Sequence, residues 1–256
     1  MALFTAKKYL GQHFLQDKNI AYKIVSALSR GSHAVVEVGP GTGVLTEILV
    51  QQKDLMLYLV EADLRLVSYL QKTYPSLRDR VIAADFLKLV FSQFWQGPIA
   101  IIGNFPYNIS SQIFFKVLEH RQQVREVVGM IQKEVAERLT AKPGGKAYGV
   151  LSVLLQAFYN LEYLFTVGPQ VFDPTPKVMS AVIRLRRNNT LQLDSDEKLF
   201  FKVVKAGFQQ RRKILNNALK SLLPATKREP LPLLTKRAEQ LTVADFVALT
   251  KYIATS

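Results

Sequence analysis

Four apolar runs in the first half of the chain each stop at residues that carry chemistry, and this pattern constrains the fold more than any other feature. Ala34-Val35-Val36-Glu37-Val38 runs straight into Gly39-Pro40-Gly41-Thr42-Gly43 and then into a helical pattern over Val44–Leu49. Leu55–Val60 ends in Glu61-Ala62-Asp63, and Val81–Ala84 ends in Asp85-Phe86. Pro98–Ile102 stops at Gly103 and is followed by Asn104-Phe105-Pro106-Tyr107. Short apolar runs of this kind read as buried parallel strands. Strand, glycine-rich turn and helix form the geometry that lets a nucleotide-like ligand approach the backbone at a helix N-terminus. Ligands of open α/β sheets bind at the carboxyl ends of the strands, where all four signals fall. The expected fold is therefore α/β, a doubly wound sheet with its ligand lying across the strand ends.

The residue types at those ends suit an adenine nucleoside. Glu61 lies roughly twenty residues past the glycine turn, where a carboxylate accepts both ribose hydroxyls. It equally suits the opening of a helix over Asp63–Tyr74, since acids are favoured in first turns. Asp85 and Phe86 place an acid and a ring at the next strand end, matched to an adenine amine and an adenine face. In the last loop the Asn104 side-chain oxygen and the Phe105 carbonyl each accept one N–H of an exocyclic amine, while Tyr107 stacks on the base. An ordinary strand-to-helix turn is the alternative for that loop taken alone. Val44 departs from the dinucleotide fingerprint, and the chain lacks a hydride-handling His or Tyr-Lys pair, which disfavours a nicotinamide oxidoreductase.

Around this centre the chain reads as two parts. An arm, Lys7–Asp17, mixes aromatic, amide and basic groups, and Asp17 or Asn19 caps a helix running to Leu28. Three further strands are expected over Val124–Ile131, Glu162–Val167 and Met179–Leu185, making seven. Two prolines stiffen Phe172–Lys177 beside the ligand edge. Composition changes at Asn188-Asn189-Thr190, and the remainder reads as helices, with Thr242–Asp245 capping the last. Residues 1–187 are thus expected to form the ligand-binding domain and 188–256 a small helical one. The net charge of +14 favours a polyanionic partner. Candidate phosphate contacts are Lys7, Lys8, Lys146, Arg211, Arg212 and Lys213. No cysteine is present, so disulfides, thiolate metal sites and thiolate attack are excluded. His13, His33 and His120 are widely spaced and no metal is expected. No signal peptide and no apolar run of roughly 18 residues is found, so a cytoplasmic protein without membrane contact is expected.

The order of strands and strand-end signals resembles class I S-adenosylmethionine-dependent methyltransferases, a Rossmann-like family whose seven-stranded sheet has an antiparallel last strand. Asn104-Phe-Pro-Tyr107 resembles the N-x-P-Y signature of those that methylate amino groups. With Gly11-Gln-His-Phe-Leu15, Glu37-Val-Gly-Pro-Gly-Thr-Gly43, Gln132–Arg138, Phe172–Val178 and Phe208–Lys213, the chain is similar over nearly its whole length to the KsgA/RsmA family of ribosomal RNA small-subunit adenine N6,N6-dimethyltransferases. Two positions depart: His13 stands where many members have Asn, and Phe105 where Leu is more usual. The resemblance implies S-adenosylmethionine as methyl donor and, as substrate, two adjacent adenines near the 3′ end of 16S rRNA in the immature small subunit. It implies that His13, Leu15 and Gly39 contact the cofactor together with Gln12, Gly41 and Ala62. Glu61 then binds the ribose and Asp85 the adenine beside Phe86, with Asn104 between cofactor and target base. Catalysis falls to Asn104, Phe105 and Tyr107, in a protein expected to be a monomer. An erythromycin-resistance type enzyme acting on large-subunit RNA shares the loop and fold. Arg211–Lys213 and Phe172–Val178 favour the small-subunit enzyme. A non-catalytic RNA-binding factor has no need of a complete cofactor site.

Overall fold

A computed structural model describes residues 4–29, 31, 34–223 and 231–254, with Lys8 described by its backbone alone. His33 lies outside the described residues. The chain divides into two compact units, residues 1–136 with 162–187, and residues 137–161 with 188–256. It thus crosses between them three times. The last crossing coincides with the boundary expected from sequence, whereas the first two add Glu137–Leu161 to the helical unit.

Nine strands form among the described residues: β1 (Phe14–Leu15), β2 (Ala34–Val38), β3 (Met56–Glu61), β4 (Val81–Ala83), β5 (Ile99–Asn104), β6 (Val124–Gln132), β7 (Tyr159–Val167), β8 (Phe172–Asp173) and β9 (Ser180–Arg187). Seven make one sheet in the order β4-β3-β2-β5-β6-β9-β7. Strands β2 to β6 pair in parallel, and β9 runs antiparallel to β6. The chain leaves β2 outward to β3 and β4, then returns to the other side of β2 for β5. The order therefore reverses between β2 and β5, and a crevice opens where their carboxyl ends diverge.

Residue chemistry explains the strands. Val35, Leu57, Leu59, Ala100, Ile102, Val128, Met130 and Val182 alternate along their strands and share one core cluster. Ile24, Leu45, Leu49, Val67 and Leu70 from the flanking helical segments pack into it. Val36, Val60, Ile101, Val127 and Ile183 fill the intervening positions and are also buried. Both faces of the sheet are covered at its centre, which is why β2, β5 and β6 read as near-continuous apolar runs.

Helices α1 (Lys18–Ser26), α2 (Thr46–Leu49), α3 (Leu64–Thr73) and α4 (Ser110–Glu119) follow the early strands. Asp17 caps α1 through the Asn19 and Ile20 N–H groups, and Asp63 caps α3 through that of Arg65. The glycine-rich segment stays a turn until Thr46, so α2 starts two residues later than the expected Val44–Leu49 and makes a single turn. A two-stranded ribbon, β1 against β8, was not expected from sequence.

In the second unit, α6 (Val150–Gln156) follows α5 (Lys133–Thr140), which spans the first crossing, and is joined by α7 (Glu197–Gln209), α8 (Leu215–Ala218) and α9 (Val243–Ala254). Its core brings together Leu154, Phe158, Phe200, Val204, Leu215, Phe246 and Leu249, all buried. Phe208 lies against both Tyr148 and Phe246. Thr242 and Asp245 form a reciprocal cap on α9: the Thr242 N–H donates to the Asp245 carboxylate (2.9 Å) and the Asp245 N–H to the Thr242 hydroxyl (3.1 Å).

Candidate active site

The crevice between β2 and β5 holds two adjoining cavities, of about 180 and about 50 Å³. Gln12, Gly39 and Pro106 border both. The larger is closed by Glu61, Ala62, Asp85 and Phe86, the smaller by His13, Leu15, Glu37, Gly41, Asn104 and Tyr107. Every residue expected from sequence to touch the cofactor thus lines this one crevice, all within the first unit.

Gly39 turns the chain at the end of β2 with φ +65°, a conformation open to glycine at no steric cost. A Cβ there would come within 3.7 Å of the Pro106 ring and narrow the passage between the cavities. Glu61, at the end of β3, is buried, and each carboxylate oxygen takes one backbone N–H: Gly41 donates at 3.2 Å and Asp63 at 2.9 Å. Burial still pushes its pKa above the ordinary carboxylate range despite these bonds. Such a carboxyl gains from further donors, and the two hydroxyls of a ribose are donors of the right number. Asp85 gives one oxygen to the Leu87 N–H (3.0 Å) and is half-buried at the cavity wall, while Phe86 is buried against Phe91. An acid at each end, an apolar wall and a glycine approach fit the nucleoside of S-adenosylmethionine.

The catalytic loop is set from both sides. The Asn104 Nδ2 donates to the His13 carbonyl at 2.7 Å. An amide anchored through its nitrogen in this way keeps its oxygen available as an acceptor. The Phe105 N–H donates to the Met130 carbonyl (3.0 Å), which fixes the preceding peptide, and its ring is buried edge-on to Phe114. The ring fits because both nearby strand positions are glycine. A Cβ on Gly129 would stand 2.5 Å from it and one on Gly103 3.0 Å. Tyr107 is half-buried and stacks on His13 with ring centroids 5.1 Å apart. Burial raises the Tyr107 pKa, so the phenol stays protonated. His13 Nδ1 donates to the Pro174 carbonyl at 2.7 Å, which ties the arm to the loop after β8.

Two of these side chains also have partners within the protein. Lys7, expected among the phosphate contacts, donates its ammonium to the buried Asp63 carboxylate at 3.0 Å. Gln12, which borders both cavities, accepts through its side chain from the Lys7 N–H (2.8 Å) and donates to Asp63 (3.4 Å). Arg65 completes the cluster at 2.7 Å and, foremost among these donors, holds the Asp63 pKa well below the carboxylate range. Both residues therefore pin the arm over the crevice. Sequence reasoning missed Asp63, and missed Ser180, whose Oγ lies 2.5 Å from the Tyr107 hydroxyl. A lone serine at a strand start gives no periodic signal.

Of the other expected phosphate contacts, Lys8 is in the first unit, with its side chain outside the described residues, and the remaining four are in the second unit. Lys146, Arg212 and Lys213 are exposed. Arg211 donates to the Gly145 carbonyl (3.3 Å), which braces the Lys146 loop, and lies 3.9 Å from Glu239. Among the described residues no group of three His, Asp or Glu is placed to hold a metal, and no helix is long and apolar enough to cross a membrane.

The chain resembles known proteins over nearly its whole length. The family model described as ribosomal RNA adenine dimethylase matches residues 3–255. A ribosomal RNA small subunit methyltransferase A of Cytophaga hutchinsonii is 55% identical, covering 97% of each chain. Its namesake in Parabacteroides distasonis is 53% identical over 98% of this chain and 94% of its own. Among solved structures, a dimethyladenosine transferase from Plasmodium falciparum superposes with TM-score 0.78 at 25% identity, covering 95% of this chain and 98% of its own. The 23S rRNA methyltransferase ErmE superposes with TM-score 0.70 at 25% identity, covering 93% and 99%.

Proposed function

The chain belongs to the ribosomal RNA adenine dimethylase family, and from that membership we propose that it dimethylates N6 of two adjacent adenines near the 3′ end of 16S rRNA. It is an enzyme, with S-adenosylmethionine as methyl donor and an adenine of ribosomal RNA as acceptor. The substrate form we propose is the immature small subunit, met in the cytoplasm by a monomer.

The bound donor supplies an electrophilic methyl group on a sulfonium. Glu61 and Asp85 hold its nucleoside end, and the wall of Gly39, Gly41, His13 and Leu15 encloses the rest. Adenine N6 is a poor nucleophile because its lone pair is delocalised into the ring. Asn104 Oδ1 and the Phe105 carbonyl accept its N–H groups, favour a pyramidal nitrogen and aim its lone pair along the line of transfer. The observation that carries this reading is the Asn104 Nδ2 bond to His13, which leaves the amide oxygen as acceptor. No strong base is required, because N6 becomes acidic only as the methyl group arrives. The adenine must leave its stack to reach the loop, and Tyr107 replaces the lost stacking. Lys146, Arg212 and Lys213 contact RNA phosphates in the helical unit.

Transfer of labelled methyl groups to unmethylated small subunits tests the reading, with Asn104→Ala beside the wild type. The expected result is label on small-subunit RNA, and a kcat about a hundredfold lower in the variant. Label on large-subunit RNA alone assigns the reaction of ErmE instead. Tight subunit binding without any transfer leaves only a binding role.

A further inference from the structure

Tyr107 is held by an element that lies two strands away from its own. It follows β5, whereas Ser180 opens β9, and β6 runs between them in the sheet. Backbone register fixes both positions against that intervening strand: Asn104 is opposite Met130, and Ser180 is opposite Gln132. The Ser180 side chain, fully buried, then meets the Tyr107 hydroxyl at 2.5 Å. Six residues earlier in the same segment, the Pro174 carbonyl takes the His13 ring that stacks on Tyr107. One stretch of chain thus sets the tyrosine at its tip and, through His13, at its face.

We propose that Ser180 is a positioning residue for methyl transfer, locking the Tyr107 ring in the orientation that receives the flipped adenine. This rests on the proposed function, in which Tyr107 stacks on that base. A tyrosine on a loop has two rotatable side-chain bonds, and ordering them at the moment of capture costs free energy that a tether removes beforehand. Without the serine hydroxyl the phenol oxygen loses a buried partner, and the ring turns toward other donors and acceptors. The adenine then docks on a ring whose plane is not set, and N6 strays from the acceptors on Asn104 and Phe105. Ser180 touches neither base nor cofactor in this scheme. Its effect passes wholly through Tyr107.

That dependence is what the experiment reads. Ser180→Ala, Tyr107→Phe and the double variant are compared in methyl transfer to unmethylated small subunits, with Tyr107→Ala as reference. Each single change is expected to lower kcat about tenfold. KM for subunits and the affinity for S-adenosylhomocysteine should not change. The double variant should be no slower than either single one, since both delete the same bond. Ser180→Cys keeps the size and a weak hydrogen-bonding group, and should fall between wild type and alanine; it also serves should the alanine variant not fold. Losses that multiply in the double variant overturn the proposal, because Ser180 then acts by another route. Wild-type activity of Ser180→Ala beside an inactive Tyr107→Ala also overturns it and leaves the stacking role intact. Wild-type activity of Tyr107→Ala overturns the stacking reading itself, and this proposal with it.

Discussion

Glu37 shows how much a single side chain in this crevice departs from its solution chemistry. Fully buried at the end of β2, it loses hydration, which pushes its pKa up to about 8 even though the Thr46 hydroxyl donates to it at 2.6 Å. Near neutral pH it is therefore an uncharged acid at the wall of the smaller cavity, able to donate as well as accept. The consequence for stability has a definite sign. Below the usual carboxylate pKa both folded and unfolded chains hold the proton. As pH rises toward 8 the unfolded chain releases it while the folded one keeps it, so this group's contribution falls steadily over that window. Glu37→Gln keeps the shape and removes the proton. Its melting temperature relative to wild type should rise between pH 5 and pH 8, and a flat difference across that range would show Glu37 ionised. The sequence displays a glutamate inside an apolar strand, but its protonation depends on burial from every side, which no local pattern encodes. Asn104, Glu61 and Asp85 were legible because strand ends gather them by topology.

Among the elements, β5 and β6 carry a constraint that is steric. Gly103 and Gly129 are paired across the two strands, and the Phe105 ring occupies the space their missing side chains leave. Gly129→Ala puts a methyl group into that ring and should cost about 1–3 kcal/mol. It should also displace the Phe105 carbonyl and slow methyl transfer. Adding Phe105→Leu, a smaller side chain, relieves the clash, so the double variant should melt higher and react faster than Gly129→Ala alone. Thermal melting and labelled transfer check both halves. The central strands β2, β5 and β6 were readable because burial on both faces leaves near-continuous apolar runs. The ribbon of β1 and β8 was not, since each strand has two residues and the partners are separated by most of the first unit. In the stretch after residue 187 that reads as helices, the apolar residues Ile214, Leu215, Ala218, Leu219 and Leu222 form a helix only at Leu215–Ala218. Their apolar spacing is satisfied by one helical turn and the turns after it.

For the whole molecule, the net charge of +14 is the coarsest feature and the most directly measurable one. Binding to small subunits should weaken steeply with salt, because releasing counterions from phosphates gains less entropy when the bulk already holds many. Removing both exposed cations in Arg212→Ala/Lys213→Ala should lower the slope of log affinity against log salt by about 1.5 to 2. An unchanged slope would place the phosphate contacts elsewhere. The charge was plain in the sequence, but which cations remain available was not: Lys7 is taken by Asp63 through a contact 56 residues away. The threefold crossing between units limits how such a protein can be rebuilt. Glu137–Leu161 comes from the middle of the first unit's sequence, and its Leu154, Leu155 and Phe158 are buried with the second unit. A chain cut after Arg187 would keep that segment and lose what covers it, exposing an adhesive surface. Exchange of the second unit between relatives by a single genetic crossover would meet the same obstacle. A chimera that keeps this core intact needs Glu137–Leu161 and residues 188–256 from the same parent, although first-unit sequence separates them.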